Sequence, residues 1–122
     1  LKAQKGVVFT GFINNVFEAM EGCDFIVRCE DYGLYGRDII EANSLGLPIL
    51  TSKSKENMDQ DLVINGINGY TYKTMDANDF KIKMQDIIKN YNNFRGNMVK
   101  LKKGYTLAPE YFSIVNNIYK KL

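Results

Sequence analysis

Residues 33–50, GLYGRDIIEANSLGLPIL, combine two glycines with a helix that opens on charged residues. Gly33 and Gly36 allow the backbone to turn sharply and to approach a ligand closely. The N–H groups at the helix start, that of Arg37 among them, have no partner inside the helix and attract anions such as phosphate. Glu41 lies about 7 Å farther along the helix axis than Gly36. The pattern predicts a nucleotide site in which the helix start binds a diphosphate and Glu41 accepts hydrogen bonds from the ribose.

A purely structural interpretation of the same residues is also open. Gly33 and Gly36 suit an ordinary loop, and Arg37 with Glu41 suits an exposed ion pair on one helix face, which contributes little to stability. The GxxG spacing is a weak signal, since the three-glycine fingerprint of dinucleotide-binding folds is absent. RNA-binding KH loops also use GxxG but lie between two helices, whereas an apolar strand precedes this loop.

Short apolar segments alternate with helical patterns along the first part of the chain. Strands are predicted at residues 7–10, 25–29, 48–52 and 70–73, and helices at residues 14–21 and 37–45. This order predicts an α/β fold, a parallel sheet with helices on both faces. In such sheets the binding crevice lies beyond the carboxyl ends of the strands, where the segments Arg28–Tyr35 and Ser52–Met58 are expected to emerge.

The C-terminal third has a helical pattern. From Asp76 onward one apolar stripe is formed mostly by Phe80, Ile82, Met84, Ile87 and Ile88. A weaker helix is predicted over residues 91–104 and a last one from Pro109. No repeat, low-complexity segment or internal linker interrupts the chain, so one domain is expected.

Composition excludes several classes of function. The chain has 122 residues, 45% of them apolar, and no histidine, which removes Ser-His-Asp and Cys-His catalysis and disfavours a metal site. Its net charge is only +2, and its basic residues are spread among acidic ones, so no nucleic-acid-binding surface is expected. Cys23 and Cys29 are expected to be reduced thiols in the core. No apolar run is long enough to span a membrane and no secretory signal is recognisable, so a cytoplasmic location is expected.

Four segments in order resemble the C-terminal domain of retaining glycosyltransferases of family 4, which have the GT-B fold. They are VFTGFI at 8–13, GCDFIV at 22–27, GRDIIEANSLGLPI at 36–49 and NGINGY at 65–70. The resemblance implies that residues 1–122 form a single, partial, Rossmann-like donor-binding domain. Family members begin this domain with a further strand–helix–strand portion that carries a basic pair, so the chain is expected to be an N-terminally truncated fragment. An acceptor domain precedes it in the family.

The resemblance also implies roles for individual residues. Glu41 matches the second of two family glutamates, which binds the ribose. The loop and helix start that hold the sugar and diphosphate through backbone N–H groups match Gly33, Leu34, Tyr35, Gly36 and Arg37. The loop near the base matches Phe12 and Ile13, and Arg28 leads into the pocket. Core packing or a surface charge is the alternative for these last three residues.

One position departs from the family pattern, and two lysines could supplement it. The first family glutamate falls at Gly33, so the usual carboxylate contact to the sugar is missing, and Glu30 or Asp31 is a candidate replacement. Lys53 and Lys55 are candidates for additional positive charge near the diphosphate, although solvated surface lysines are the alternative.

The function implied is a hexosyltransferase-like enzyme of glycan or polysaccharide biosynthesis. It transfers a sugar with retention from a nucleotide-diphosphate sugar, which is a substrate, so no cofactor and no metal is expected. The resemblance assigns no catalytic residue here. Expected partners are the nucleotide sugar and the missing acceptor domain, with no nucleic acid, and peripheral association with the inner face of the membrane is compatible with the family. The isolated chain is expected to be inactive.

Other classes of function fit the same sequence. The main alternative is a noncatalytic nucleotide-binding or protein-interaction module on the same fold, which Gly33 favours. A third interpretation is an unrelated doubly wound domain whose glycines only build a turn.

Overall fold

Three parallel strands form a sheet within residues 5–29, 37–53 and 62–97, which are the residues that the computed structural model describes. The strands are β1 (Ile26–Arg28), β2 (Ile49–Lys53) and β3 (Gly69–Lys73), in the spatial order β1-β2-β3. The central strand β2 is buried over its first four residues, which explains why it begins with a continuous apolar run. The predicted parallel α/β architecture is confirmed.

Helices lie before, between and after the strands in the chain. They are α1 (Val16–Glu21), α2 (Arg37–Leu45), α3 (Ala77–Lys89) and a fourth helical segment, α4, at residues 91–97. The predicted asparagine cap of α1 is Asn15, whose side chain accepts a hydrogen bond from the N–H of Glu18. The side chain of Asp76 caps α3 in the same way by accepting from the N–H of Asp79.

The predicted bounds of α2 are confirmed because its C-terminal end carries a strong stop signal. Gly46 adopts a φ of 72°, and its N–H donates to the carbonyl of Asn43. The N–H of Leu47 donates to the carbonyl of Ala42, which completes a Schellman motif. The chain then enters β2 directly after Pro48, since proline cannot continue the helix.

Each face of the sheet has its own apolar cluster. The cluster under α2 contains Met20, Ile39, Ala42, Leu47, Ile49 and Val63. The cluster under α3 contains Leu50, Tyr72, Ile87 and Phe94. Ile49 and Leu50 are adjacent in β2 and point to opposite faces, so the same strand supplies both clusters. Helices therefore cover both faces, as the sequence predicts.

The predicted buried strand at residues 7–10 is wrong. These residues are irregular and exposed, with Val8 82% and Phe9 65% accessible. Gly6 and Gly11 on either side have φ values of 88° and 64°, which turn the chain away from an extended path. A β-branched run becomes a strand only where a neighbour completes its hydrogen bonds, and among the described strands none pairs with this segment.

The expected burial of both cysteines is also wrong. Cys23 and Cys29 are free thiols, but both are exposed. Cys23 follows the end of α1 and Cys29 follows the end of β1, so each lies in a connection at the surface and not within an element.

The helical C-terminal region is confirmed as far as the described residues reach. Phe80, Met84 and Ile87 pack against the sheet as the stripe predicts. Ile82 and Ile88 are instead 53% and 59% exposed, because they lie off the buried face of α3. The remainder of the predicted helix at 91–104 and the helix from Pro109 lie outside the described residues.

Candidate functional site

The start of α2 lies against the carboxyl end of β1. Arg28 is the last residue of β1, and its Nε lies 3.5 Å from Oδ1 of Asp38 in the first turn of α2. The Arg28 side chain is 10% exposed and the Asp38 side chain is 44% exposed. A largely buried cation and the N–H groups of a helix start therefore occupy the same edge of the sheet, the edge at which open parallel sheets bind ligands.

Arg37 and Glu41 form an ion pair along α2. The Nε of Arg37 lies 3.5 Å from Oε1 of Glu41, with the two side chains 55% and 17% exposed. The ion pair of the structural interpretation is thus present, but its two members are unequal, since Glu41 is mostly covered. The Glu41 carboxylate keeps partial access to solvent and lies one turn farther along the helix than the Asp38 carboxylate.

The charges at the beginning of α2 balance. Two guanidinium groups, Arg28 and Arg37, are each within 3.5 Å of a carboxylate, Asp38 or Glu41. The formal charge of the four side chains is zero, while the helix start adds a partial positive charge. Such an arrangement can bind an anion through N–H groups and guanidinium groups, and can accept hydrogen bonds from hydroxyl groups through Glu41.

A buried amide network fixes the middle of α2 to the segment before β3. Asn68 is 1% exposed, and its Nδ2 donates to the carbonyl of Leu62 at 2.8 Å and to Oδ1 of Asn43 at 3.1 Å. Its Oδ1 accepts from the N–H of Ile64 at 2.6 Å. Asn43 lies two residues beyond Glu41 in α2, so the network fixes the helix that carries the candidate ribose-binding carboxylate.

Sequence reasoning missed this network, although one signal was available. Asn43 follows Ile39 by four residues, so it lies on the buried face of α2. A buried amide on an apolar face requires partners, because an unsatisfied polar group in the core is costly. Asn68 sits in the NGING segment, where an asparagine ordinarily indicates a turn.

A second polar cluster lies on the α3 face of the sheet, at the carboxyl end of the strands. The hydroxyl of Tyr72 is hydrogen-bonded to Cys29 and to Ser52. Burial, followed by the hydrogen bond and charge interaction with Cys29, raises the pKa of Tyr72 above its ordinary value of 10.0, while Ser52 acts in the opposite direction. Tyr72 therefore keeps its proton at neutral pH and serves as a hydrogen-bonding group.

The other predicted site residues are placed as follows. Phe12 is 92% exposed and Ile13 is half-buried, and both precede α1 in an irregular segment. Lys53 is exposed at the end of β2. The predictions for Gly33, Leu34, Tyr35 and Gly36, together with those for Glu30, Asp31 and Lys55, lie outside the described residues. The ligand-binding roles of all these residues stay predictions.

Neither metal ligands nor a membrane span are found in the part of the chain that the structure describes. Within residues 5–29, 37–53 and 62–97, no group of three or more His, Cys, Asp or Glu side chains could hold a metal ion. No described helix is both long enough and apolar enough to cross a bilayer.

Comparison with known proteins identifies the family and a similar fold. The family model described as glycosyl transferases group 1 matches residues 1–104. The solved structure of sucrose-phosphate synthase from Thermosynechococcus elongatus is similar in fold, with a TM-score of 0.65 at 21% identity. The match covers 97% of this chain and 31% of that chain, so the protein spans about a third of the length of this neighbour. No curated protein sequence matches the chain. Because the family model covers most of the chain, including the helix of the candidate site, the protein belongs to the group 1 glycosyltransferases.

Proposed function

We propose that this glycosyltransferase domain binds the nucleotide-diphosphate sugar of a retaining, hexosyltransferase-like enzyme in glycan or polysaccharide biosynthesis. The observation that carries the proposal is the contact between Arg28 and Asp38. It joins the carboxyl end of β1 to the start of α2, so that a guanidinium, a helix N-terminus and Glu41 lie along one edge of the sheet.

The donor's chemistry matches this order of groups. A diphosphate at the α2 start would meet N–H groups that have no partner inside the helix, together with the guanidinium groups of Arg28 and Arg37. The ribose, about 7 Å farther along the axis, would meet the carboxylate of Glu41. Loss of the sugar from the donor leaves additional negative charge on the diphosphate, and positive groups already in position stabilise that charge as it develops.

The proposal divides the reaction between this domain and the rest of a longer enzyme. The domain supplies the donor site and the electrostatic stabilisation of the leaving group, without a cofactor or a metal. The attacking hydroxyl group and the residues that orient it would come from an acceptor domain elsewhere in the polypeptide. Sugar transfer by the 122-residue chain alone would contradict this division.

Calorimetric titration with UDP-, GDP- and ADP-sugars tests the proposal. One of these donors should bind, and Glu41→Ala should weaken it about 10- to 100-fold, because the variant loses hydrogen bonds to a charged acceptor. Glu21→Ala is the matched control, since it removes an exposed glutamate from the end of α1. Equal affinities of the two variants would refute the role of Glu41.

Gly33 favours one second candidate, a module that kept the fold without catalysis. It occupies the position at which the family pattern has its first glutamate. Absence of binding to all three classes of donor by the complete protein would support this candidate.

A further inference from the structure

The anion-attracting end of α2 already carries an anion of its own. The carboxylate of Asp38 lies in the first turn, where the helix dipole favours negative charge. It also lies 3.5 Å from the guanidinium of Arg28. These are the two features that would hold the diphosphate of a donor, so Asp38 and the donor would use the same positive groups.

A second observation is a buried hydroxyl group on the sheet face that α2 covers. Thr51 is directly opposite Arg28 in the parallel register and is fully buried, yet its Oγ1 has no hydrogen-bond partner among the described residues. Residues two apart in a strand share a face, so Thr51 lies on the same face as Ile49, which packs beneath Ile39 and Ala42 of α2. Thr51 is two residues nearer the carboxyl edge of the sheet, the edge at which α2 begins.

Arg28 and Asp38 differ in burial, and this difference decides which side chain stays in place when a phosphate group binds. The Arg28 side chain is 10% exposed, so the surrounding atoms restrict it along most of its length. The Asp38 side chain is 44% exposed and can turn toward water at little cost. The 3.5 Å between Nε of Arg28 and Oδ1 of Asp38 is long for a charge-assisted hydrogen bond, so an incoming phosphate oxygen can replace the carboxylate.

We propose that Asp38 is an internal competitor of the donor's diphosphate. Its carboxylate neutralises Arg28 in the unliganded site, lowers the affinity for every ligand that binds through phosphate, and thereby favours release of the nucleoside diphosphate product. Ligands that also engage Glu41 through a ribose retain affinity, whereas free phosphate and pyrophosphate are disfavoured. This inference rests on the proposed donor site and names what sets the affinity of that site.

Asp38→Asn in the complete enzyme tests the inference by calorimetry. Removal of one negative charge about 5 Å from a phosphate group should tighten binding of UDP, GDP or ADP, whichever binds, and of pyrophosphate, by about three- to tenfold. Binding of the corresponding nucleoside, which has no phosphate, should not change. Asp86→Asn removes the same charge from α3 and is the matched control, because screening makes a distant surface charge ineffective.

Two outcomes would overturn the inference. Weaker binding of the diphosphate to Asp38→Asn would mean that Asp38 positions Arg28, and unchanged binding would mean that phosphate does not bind at this helix start. Asp38→Ser, which also suits a first helical turn, repeats the test if the asparagine variant does not fold. If Glu41→Ala still weakens the donor, only this inference fails. If the unmodified enzyme binds no nucleotide, the proposed function fails with it.

Discussion

Replacement of Asn68 by alanine should be far more costly than its position in a turn-rich segment suggests. Asn68 is 1% exposed and makes three hydrogen bonds, to the carbonyl of Leu62, to Oδ1 of Asn43 and from the N–H of Ile64. After Asn68→Ala, the Leu62 carbonyl keeps a contact of 3.4 Å from Nδ2 of Asn43. The side-chain oxygen of Asn43 and the N–H of Ile64 both lose their hydrogen bond with the Asn68 side chain. The bond to Asn43 is buried and the bond from Ile64 is partly buried, and a buried group left unsatisfied costs about 1–3 kcal/mol, so we expect a loss of about 3 kcal/mol.

A loss of this size is a large part of the stability of a typical domain, which is about 5–15 kcal/mol. The assay is urea unfolding, in which the free energy of unfolding is extrapolated to water for each variant. Asn65→Ala is the matched control from the same segment. Asn65 is exposed, and water can replace its bond from the N–H of Thr71, so this variant should lose less than about 1 kcal/mol.

The test compares the loss of unfolding free energy in Asn68→Ala with that in Asn65→Ala. If Asn68→Ala costs no more than Asn65→Ala, the buried amide network does not hold α2 in place and the reasoning is refuted. A double-mutant cycle of Asn43 and Asn68 gives a second measure, because residues in one network couple by about 0.5–3 kcal/mol. Additive effects would contradict the direct contact between the two amides.

Three further predictions concern stability. A Cβ on Gly69 would lie 1.8 Å from the carbonyl oxygen of Ile49, so Gly69→Ala should cost about 3 kcal/mol in urea unfolding. Gly96→Ala should instead stabilise the protein by about 1 kcal/mol, because its Cβ meets nothing within 4 Å in a helical segment. Equal effects of the two variants would contradict the close approach of β2 and β3. The raised pKa of Tyr72 leaves stability intact below pH 10.0. Above that pH the unfolded chain loses its proton first, so stability should fall by at most about 1.4 kcal/mol per pH unit, and Tyr72→Phe should remove this part of the slope.

The sequence predicts those features that depend on neighbours along the chain. The bounds of α2 follow from its apolar period and from the glycine and proline after it, and β2 and β3 follow from short apolar or β-branched runs. The parallel pairing of β1 and β2 follows from α2, the helix that connects them. Residues 7–10 have the same local character as these strands but are not a strand, because strand formation requires a partner that the local pattern does not reveal.

Contacts between elements were harder to predict. Arg28 and Asp38 are ten residues apart and meet only because β1 and α2 fold onto each other. The sequence placed Arg28 near a pocket but offered no reason to pair it with Asp38. Asn43 and Asn68 are likewise 25 residues apart, so their hydrogen bond depends on the packing of α2 against the segment before β3. Local residue patterns do not show which residues distant in sequence will be in contact.

The two ends of α2 are held by different kinds of interaction, which suits a ligand-binding helix. Beyond Glu41, the helix is held by the buried amide of Asn43, by the Schellman motif at Gly46 and by Arg95, whose Nη1 donates to the Gly46 carbonyl at 2.5 Å. These bonds are local or buried, and a diphosphate at the other end of the helix cannot replace them. At the start of α2 the interactions are ion pairs with partial access to water, and Asp38 is the more exposed member of its pair. In the proposed donor site, a diphosphate would exchange with the Asp38 carboxylate while the rest of the helix keeps its position on the sheet, so donor binding would not disturb the core.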